Sequence, residues 1–155
     1  MPDGSTPLII SLVILVIFSA FFSGVETAYS CVSRIKLKSL ASSGNKLAKK
    51  VLILSEEKYD KLISTILIGN NIVNLSASAV AGTLFAKLLI NSELNPSVIS
   101  TAVITIVILI FGEITPKLIA KSCAEKFALT FYPIIRFFIF IFYPLNLVFS
   151  GWQWL

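Results

Sequence analysis

The sequence predicts an all-α integral membrane protein: three transmembrane helices plus juxtamembrane and interfacial helices, with the N-terminus outside and the C-terminus cytoplasmic. Three observations lead there. Hydrophobic residues make up 56% of the 155 and charged residues 14%, whereas a soluble domain carries about 45–50% and about 25%; the mean hydropathy is +0.90. The apolar residues fall into three long runs. Most of the basic residues lie together between the first two runs, as the orientation of membrane spans requires. The net charge of +5 is therefore read as topology, and no nucleic-acid partner is expected.

Span one is expected over residues 8–32. Residues 8–22 are apolar apart from Ser11 and Ser19, and with the small residues that follow, the run exceeds the ~20 residues that cross a bilayer. Pro7 suits a helix start. Asp3 is the only charge before it, so the basic start of a secretory signal is missing and the span is read as retained.

Residues 34–61 carry Arg34, Lys36, Lys38, Lys46, Lys49, Lys50, Lys58 and Lys61, which is eight of the thirteen basic residues. Ile35, Leu37, Leu40, Leu47, Val51 and Leu54 are interleaved with them. With Ser42-Ser43-Gly44-Asn45 as a turn, this segment reads as two basic amphipathic helices at the membrane surface. The positive-inside rule makes it cytoplasmic, so span one runs inward.

Span two, residues 62–90, returns outward. It is rich in small and polar residues, among them Ser64, Thr65, Gly69, Asn70, Asn71, Asn74, Ser78 and Gly82, and is expected to be buried among other helices. Residues 91–96 form a short outer loop. Span three, residues 98–120, goes inward, and Lys117, Lys121 and Lys126 mark its cytoplasmic end. Residues 127–155 hold Arg136, Pro133 and Pro144 among many aromatics, including Trp152 and Trp154. A central arginine costs about 2.5–3.5 kcal/mol on insertion scales, and Trp and Tyr favour the interface. Broken interfacial helices are expected here, with a fourth span as the alternative. The whole of residues 1–155 is one membrane domain.

The chain has no histidine and two cysteines, Cys31 and Cys123, in no paired motif. Zinc and iron–sulfur sites are not expected, no Ser–His–Asp set exists, and the chain is not read as an enzyme. Its chemistry lies in three polar clusters within the spans. In "SAFFSGVET" Ser19 and Ser23 are four apart on one helix face, followed by Gly24, Glu26 and Thr27. In "IGNNIVNLSAS" Asn70, Asn74 and Ser78 make an i, i+4, i+8 stripe, with Asn71 beside it. In "FGEITP" Gly112 and Glu113 precede Pro116. Proline has no N–H, so the α-helical partner of the Gly112 carbonyl is missing next to a carboxylate.

Interrupted membrane helices build cation sites from such groups. Hydroxyl, amide, backbone carbonyl and carboxylate oxygens are hard ligands that suit Mg²⁺, Ca²⁺ or Na⁺. Two plainer readings stand beside this one. Ser and Asn commonly join membrane helices by hydrogen bonds, and Glu113 could pair with Lys117 one turn later.

Taken together and in order, "SAFFSG" (residues 19–24), "GNNIVN" (69–74) and "GEITP" (112–116) resemble the transmembrane domain of the cyclin M (CNNM)/CorC family of magnesium transporters. The resemblance implies a homodimer in the inner (plasma) membrane, with three spans per subunit and an inner belt of helix. It implies Mg²⁺ export by alternating access, driven by Na⁺ entry. Carried over by motif, the ligands are Ser19 and Ser23 from span one, Asn70 and Asn74 from span two, and the Gly112 carbonyl and Glu113 from span three. Pro116 would hold the break open. Glu26 and Ser78 are candidates for a Na⁺ set, and the small residues 77–82 for helix sliding or dimerisation. The resemblance also implies cytoplasmic CBS domains that bind ATP. None follows in these 155 residues, and a longer parent chain is expected. The rival expectation is a membrane anchor that senses Mg²⁺ and regulates another transporter.

Overall fold

A computed structural model describes residues 4–90 and 95–145. Asn91 to Leu94 of the expected outer loop and the C-terminal stretch with Trp152 and Trp154 lie outside the described residues. Among the described residues every regular element is a helix: α1 (Ser5–Cys31), α2 (Arg34–Ser42), α3 (Lys46–Glu56), α4 (Tyr59–Leu88), α5 (Pro96–Val107), a π-helical segment (Ile108–Ile114), α6 (Thr115–Ser122) and α7 (Ala124–Ile141). Ser5–Cys31, Tyr59–Leu88 and the continuous run Pro96–Ser122 are long and apolar enough to cross a bilayer. At 1.5 Å per residue the two 27-residue spans reach ~40 Å, which is more than the ~30 Å hydrocarbon core.

Local chemistry sets the boundaries. Asn45 caps α3, its Oδ1 accepting from the N–H groups of Leu47 and Ala48 at 3.0 Å each. Gly44 precedes it at φ +94°, a left-handed conformation that glycine adopts without a Cβ penalty. Asn95 caps α5, accepting from Ser97 N–H at 3.0 Å, and Pro96 fills the first helical position, where its missing N–H costs nothing. Each span begins two or three residues before the apolar run that predicts it. The helical bonds continue through the polar turn at the membrane edge, where water or headgroups satisfy the remaining N–H groups.

The chain divides into two compact units. The first takes residues 1–23 and 70–116, and the second takes residues 24–69 and 117–155. In the first unit Ala77 and Ala81 of α4 are buried against Ile104 and Ile108, with Leu12 and Leu15 of α1 alongside. Lipid tails are as apolar as these side chains, so close van der Waals packing at alanines holds such helices together. Burial of α4 is one-sided. Asn71, Leu75, Ser78 and Thr83 are exposed, so the expected enclosure by other helices is met on one face within this chain. Ser78 and Thr83 satisfy their hydroxyls on their own helix, donating to the carbonyls of Asn74 and Ala79 at 3.0 and 3.1 Å.

In the second unit α3 buries Ala48, Val51, Leu54 and Ser55 on one face and exposes Lys46, Lys49 and Lys50 on the other. α2 packs on α3 through Leu37, and α3 packs on α7. Lys36 pairs with Glu125 at 3.2 Å and Lys38 with Glu56 at 3.1 Å. Gly24 is buried, and a Cβ there would stand 2.6 Å from Cζ of Phe127. The Phe127 ring thus fills the space that a side chain at position 24 would need. α7 runs through Pro133 without interruption, with Pro133 exposed on its surface. The proline removes one helical donor and leaves the neighbouring turns bonded.

Candidate cation site

All six residues expected to bind the ion belong to the first unit: Ser19, Ser23, Asn70, Asn74, Gly112 and Glu113. Ser19 and Ser23 lie one turn apart on α1, and both are fully buried. The Ser19 hydroxyl donates to Oδ1 of Asn74 at 2.9 Å, and Oδ1 of Asn70 lies 3.4 Å from the same oxygen. A hydroxyl carries one proton, so it serves the nearer amide well and the farther one poorly. Three oxygens therefore converge without enough hydrogen to join them all.

The Ser23 hydroxyl has no hydrogen-bond partner among the described residues. An unsatisfied buried hydroxyl costs about 1–3 kcal/mol, which an ion or a water at that oxygen would recover.

Gly112 brings the third span against Ser19. A Cβ at 112 would lie 2.8 Å from Ser19 Oγ and 3.1 Å from Ser19 Cβ, so only glycine admits this approach. Glu113 follows, half-buried, with no ion pair or hydrogen bond among the described residues.

The backbone around this pair is π-helical. The last bond of the segment runs from Thr115 N–H to the Ile110 carbonyl, five residues back. Pro116 has no N–H and ends that register, so neither the Phe111 nor the Gly112 carbonyl receives a bond from position 116. π-helical turns are rare and frequently mark functional sites. Sequence reasoning finds the missing donor but not the change of register.

The remaining predicted residues are placed elsewhere. Lys117 Nζ is 3.4 Å from Glu26 Oε2, so the lysine one turn beyond Glu113 pairs with Glu26 in the second unit. Ser78 is exposed and bonded to its own helix, and Asn71 is exposed. Among the described residues no three acidic, histidine or cysteine side chains gather in a metal-binding group. Any ion held by the six residues would meet mostly neutral oxygens and a single formal charge.

These features define a multi-pass helical membrane protein with an oxygen-lined polar cluster inside its spans. Residues 9–152 match the family model described as the cyclin M transmembrane N-terminal domain, and the chain belongs to that family. Similar proteins include a UPF0053 protein of Haemophilus influenzae, 42% identical over 138 residues, covering 89% of this chain and 32% of the relative. The UPF0053 inner membrane protein YfjD of Escherichia coli is 41% identical over 137 residues, with 88% and 29% covered. A polyamine export protein of Salmonella typhimurium is 29% identical over 147 residues, with 88% and 33% covered. The chain spans about a third of the length of these relatives.

Proposed function

We propose that this chain is the ion-translocating membrane part of a Mg²⁺ exporter that works by alternating access and is coupled to Na⁺ entry. The observation that carries the reading is the convergence of the Asn70 and Asn74 amide oxygens on the Ser19 hydroxyl against Gly112. Ser23 stands buried one turn away, unpartnered among the described residues. With the Gly112 carbonyl and the Glu113 carboxylate, these residues offer six oxygen donors, the number octahedral Mg²⁺ demands. One negative charge leaves a divalent ion under-neutralised, which suits an ion that must also be released. Partial dehydration on neutral oxygens, followed by rehydration on the far side, is the step these groups perform.

The working unit is a homodimer, which the exposed Asn71 in the middle of a span supports. An amide facing lipid is costly, and a second copy of α4 would cover it. The membrane is the inner (plasma) membrane, as in the name of the Escherichia coli relative. The clustered basic residues support a cytoplasmic position for α2 and α3.

The test is Mg²⁺ flux in liposomes holding the purified chain, with and without a Na⁺ gradient, wild type beside Glu113→Ala. Flux that follows the gradient and vanishes in the variant is the expected result. Normal flux in the variant would sink the assignment. Mg²⁺ binding without flux would favour the sensor reading, in which the domain changes shape on binding and regulates a separate transporter.

A second reading rests on the name of the Salmonella typhimurium relative, a polyamine export protein. A long polycation calls for several spaced carboxylates, whereas Glu113 is the one acid in this cluster. Polyamine flux measured in the same liposomes separates the two.

A further inference from the structure

The second unit carries a basic cavity outside the candidate cation site. Lys50, Lys58, Tyr132 and Arg136 line a cavity of about 280 Å³, with Ile53, Leu54 and Ile139 as its apolar wall. Among the described residues no carboxylate lines it. Elsewhere in this unit Lys36 holds Glu125, Lys38 holds Glu56, Lys117 holds Glu26, and Lys61 Nζ lies 5.8 Å from the centre of the Tyr143 ring. Lys50, Lys58 and Arg136 form no ion pair among the described residues. Three like charges around one cavity raise its potential, and an anion is the group that lowers it.

We propose that this cavity binds the phosphate headgroup of an anionic phospholipid. A planar guanidinium grips phosphate oxygens two at a time, and the lysines add point charges. The Tyr132 hydroxyl offers one further donor. The apolar wall fits a glycerol backbone and the start of the acyl chains better than it fits a free, fully hydrated anion. α7 also exposes Ile134, Phe137, Phe140 and Ile141, a surface for the acyl chains of a lipid whose headgroup sits in the cavity. Arg136, costly in hydrocarbon, is thereby placed where its charge has a use. Basic pockets beside membrane spans are a recurrent way of holding anionic lipids.

The experiment uses the purified chain in detergent, with phosphatidylglycerol and phosphatidylcholine of the same acyl chains, bound lipid being counted by native mass spectrometry. Retention of phosphatidylglycerol over phosphatidylcholine is expected. Each of Lys50→Gln, Lys58→Gln and Arg136→Gln should weaken it about fivefold, the equivalent of about 1 kcal/mol per basic residue. The triple variant should weaken it on the order of a hundredfold. A control triple, Lys46→Gln, Lys49→Gln and Lys126→Gln, removes the same charge from exposed positions outside the cavity and should leave retention unchanged.

Equal loss in both triples would overturn the proposal, because the attraction would then be general. Unchanged retention in the cavity triple, with helical content and monodispersity preserved, would overturn it too. Inorganic phosphate that displaces phosphatidylglycerol at equal concentration would refute a lipid occupant in favour of a soluble one.

Discussion

Replacing Gly112 by alanine tests the candidate cation site at the point where it is most tightly built. The new methyl carbon would sit 2.8 Å from Ser19 Oγ and 3.1 Å from Ser19 Cβ. Comfortable carbon contacts begin near 3.5 Å, so roughly half an ångström must open between the third span and α1. Ser19 Oγ is also the atom on which Asn70 and Asn74 converge, and Mg²⁺–oxygen distances of about 2.0–2.1 Å leave little slack. A displacement of that size removes at least one ligand from reach.

The effect on stability is smaller, because two terms oppose each other. Overpacking costs about 1–3 kcal/mol, while alanine gains about 1 kcal/mol over glycine within a helix. The net loss is about 0–2 kcal/mol, which a folded membrane domain tolerates. Gly112→Ala should therefore keep its helical content and melt within a few degrees of wild type, while losing Mg²⁺ affinity by tenfold or more. Isothermal titration in detergent and flux in liposomes measure the loss. Unchanged Mg²⁺ affinity with intact packing would refute the argument that Ser19 and Gly112 share one site.

Two further outcomes are expected. Ser23→Ala should leave thermal stability unchanged or slightly raised, since its hydroxyl is buried without a partner among the described residues, yet reduce Mg²⁺ binding; a melt and a titration on the same sample read both. Acid should weaken the second unit through Glu125. Its own backbone N–H, helped by Lys36 and the Ser33 backbone, holds its carboxyl below the ordinary value of 4.5. A group whose folded pKa is lowered contributes stability above its unfolded pKa and loses it as pH falls through the folded one. Glu125→Gln should therefore flatten the loss of stability below pH ~4.5 seen in thermal melts of wild type, and an unchanged acid slope would speak against this source.

Much of the fold is legible in the chain. Hydrophobic length, basic clustering and turn residues are one-dimensional signals, and they lead to three spans and to the α2–α3 pair with its break at Ser43, Gly44 and Asn45. The chemistry of the candidate site is legible too. Ser19, Asn70 and Asn74 are recognisable as oxygen donors at helical spacing, and they meet. Ser78, on the same stripe, turns away, because four residues per repeat drifts around a helix of 3.6 per turn. Arg136 reads as an anomaly in an apolar run until α3 and α7 pack and place it beside Lys50 and Lys58.

The sequence by itself determined which groups this protein can offer an ion: hard oxygens, one carboxylate at Glu113, and a backbone donor missing at Pro116. Residue identity and local backbone chemistry need no fold to be read. Only the tertiary structure decided which groups meet. It gave Lys117 to Glu26 and not to Glu113, set Gly112 against Ser19, left Ser23 without a partner among the described residues, and shifted the third span into π register. Pairings between residues on different helices depend on distances a few tenths of an ångström wide. Those distances follow from how whole helices pack, which no local pattern along the chain encodes.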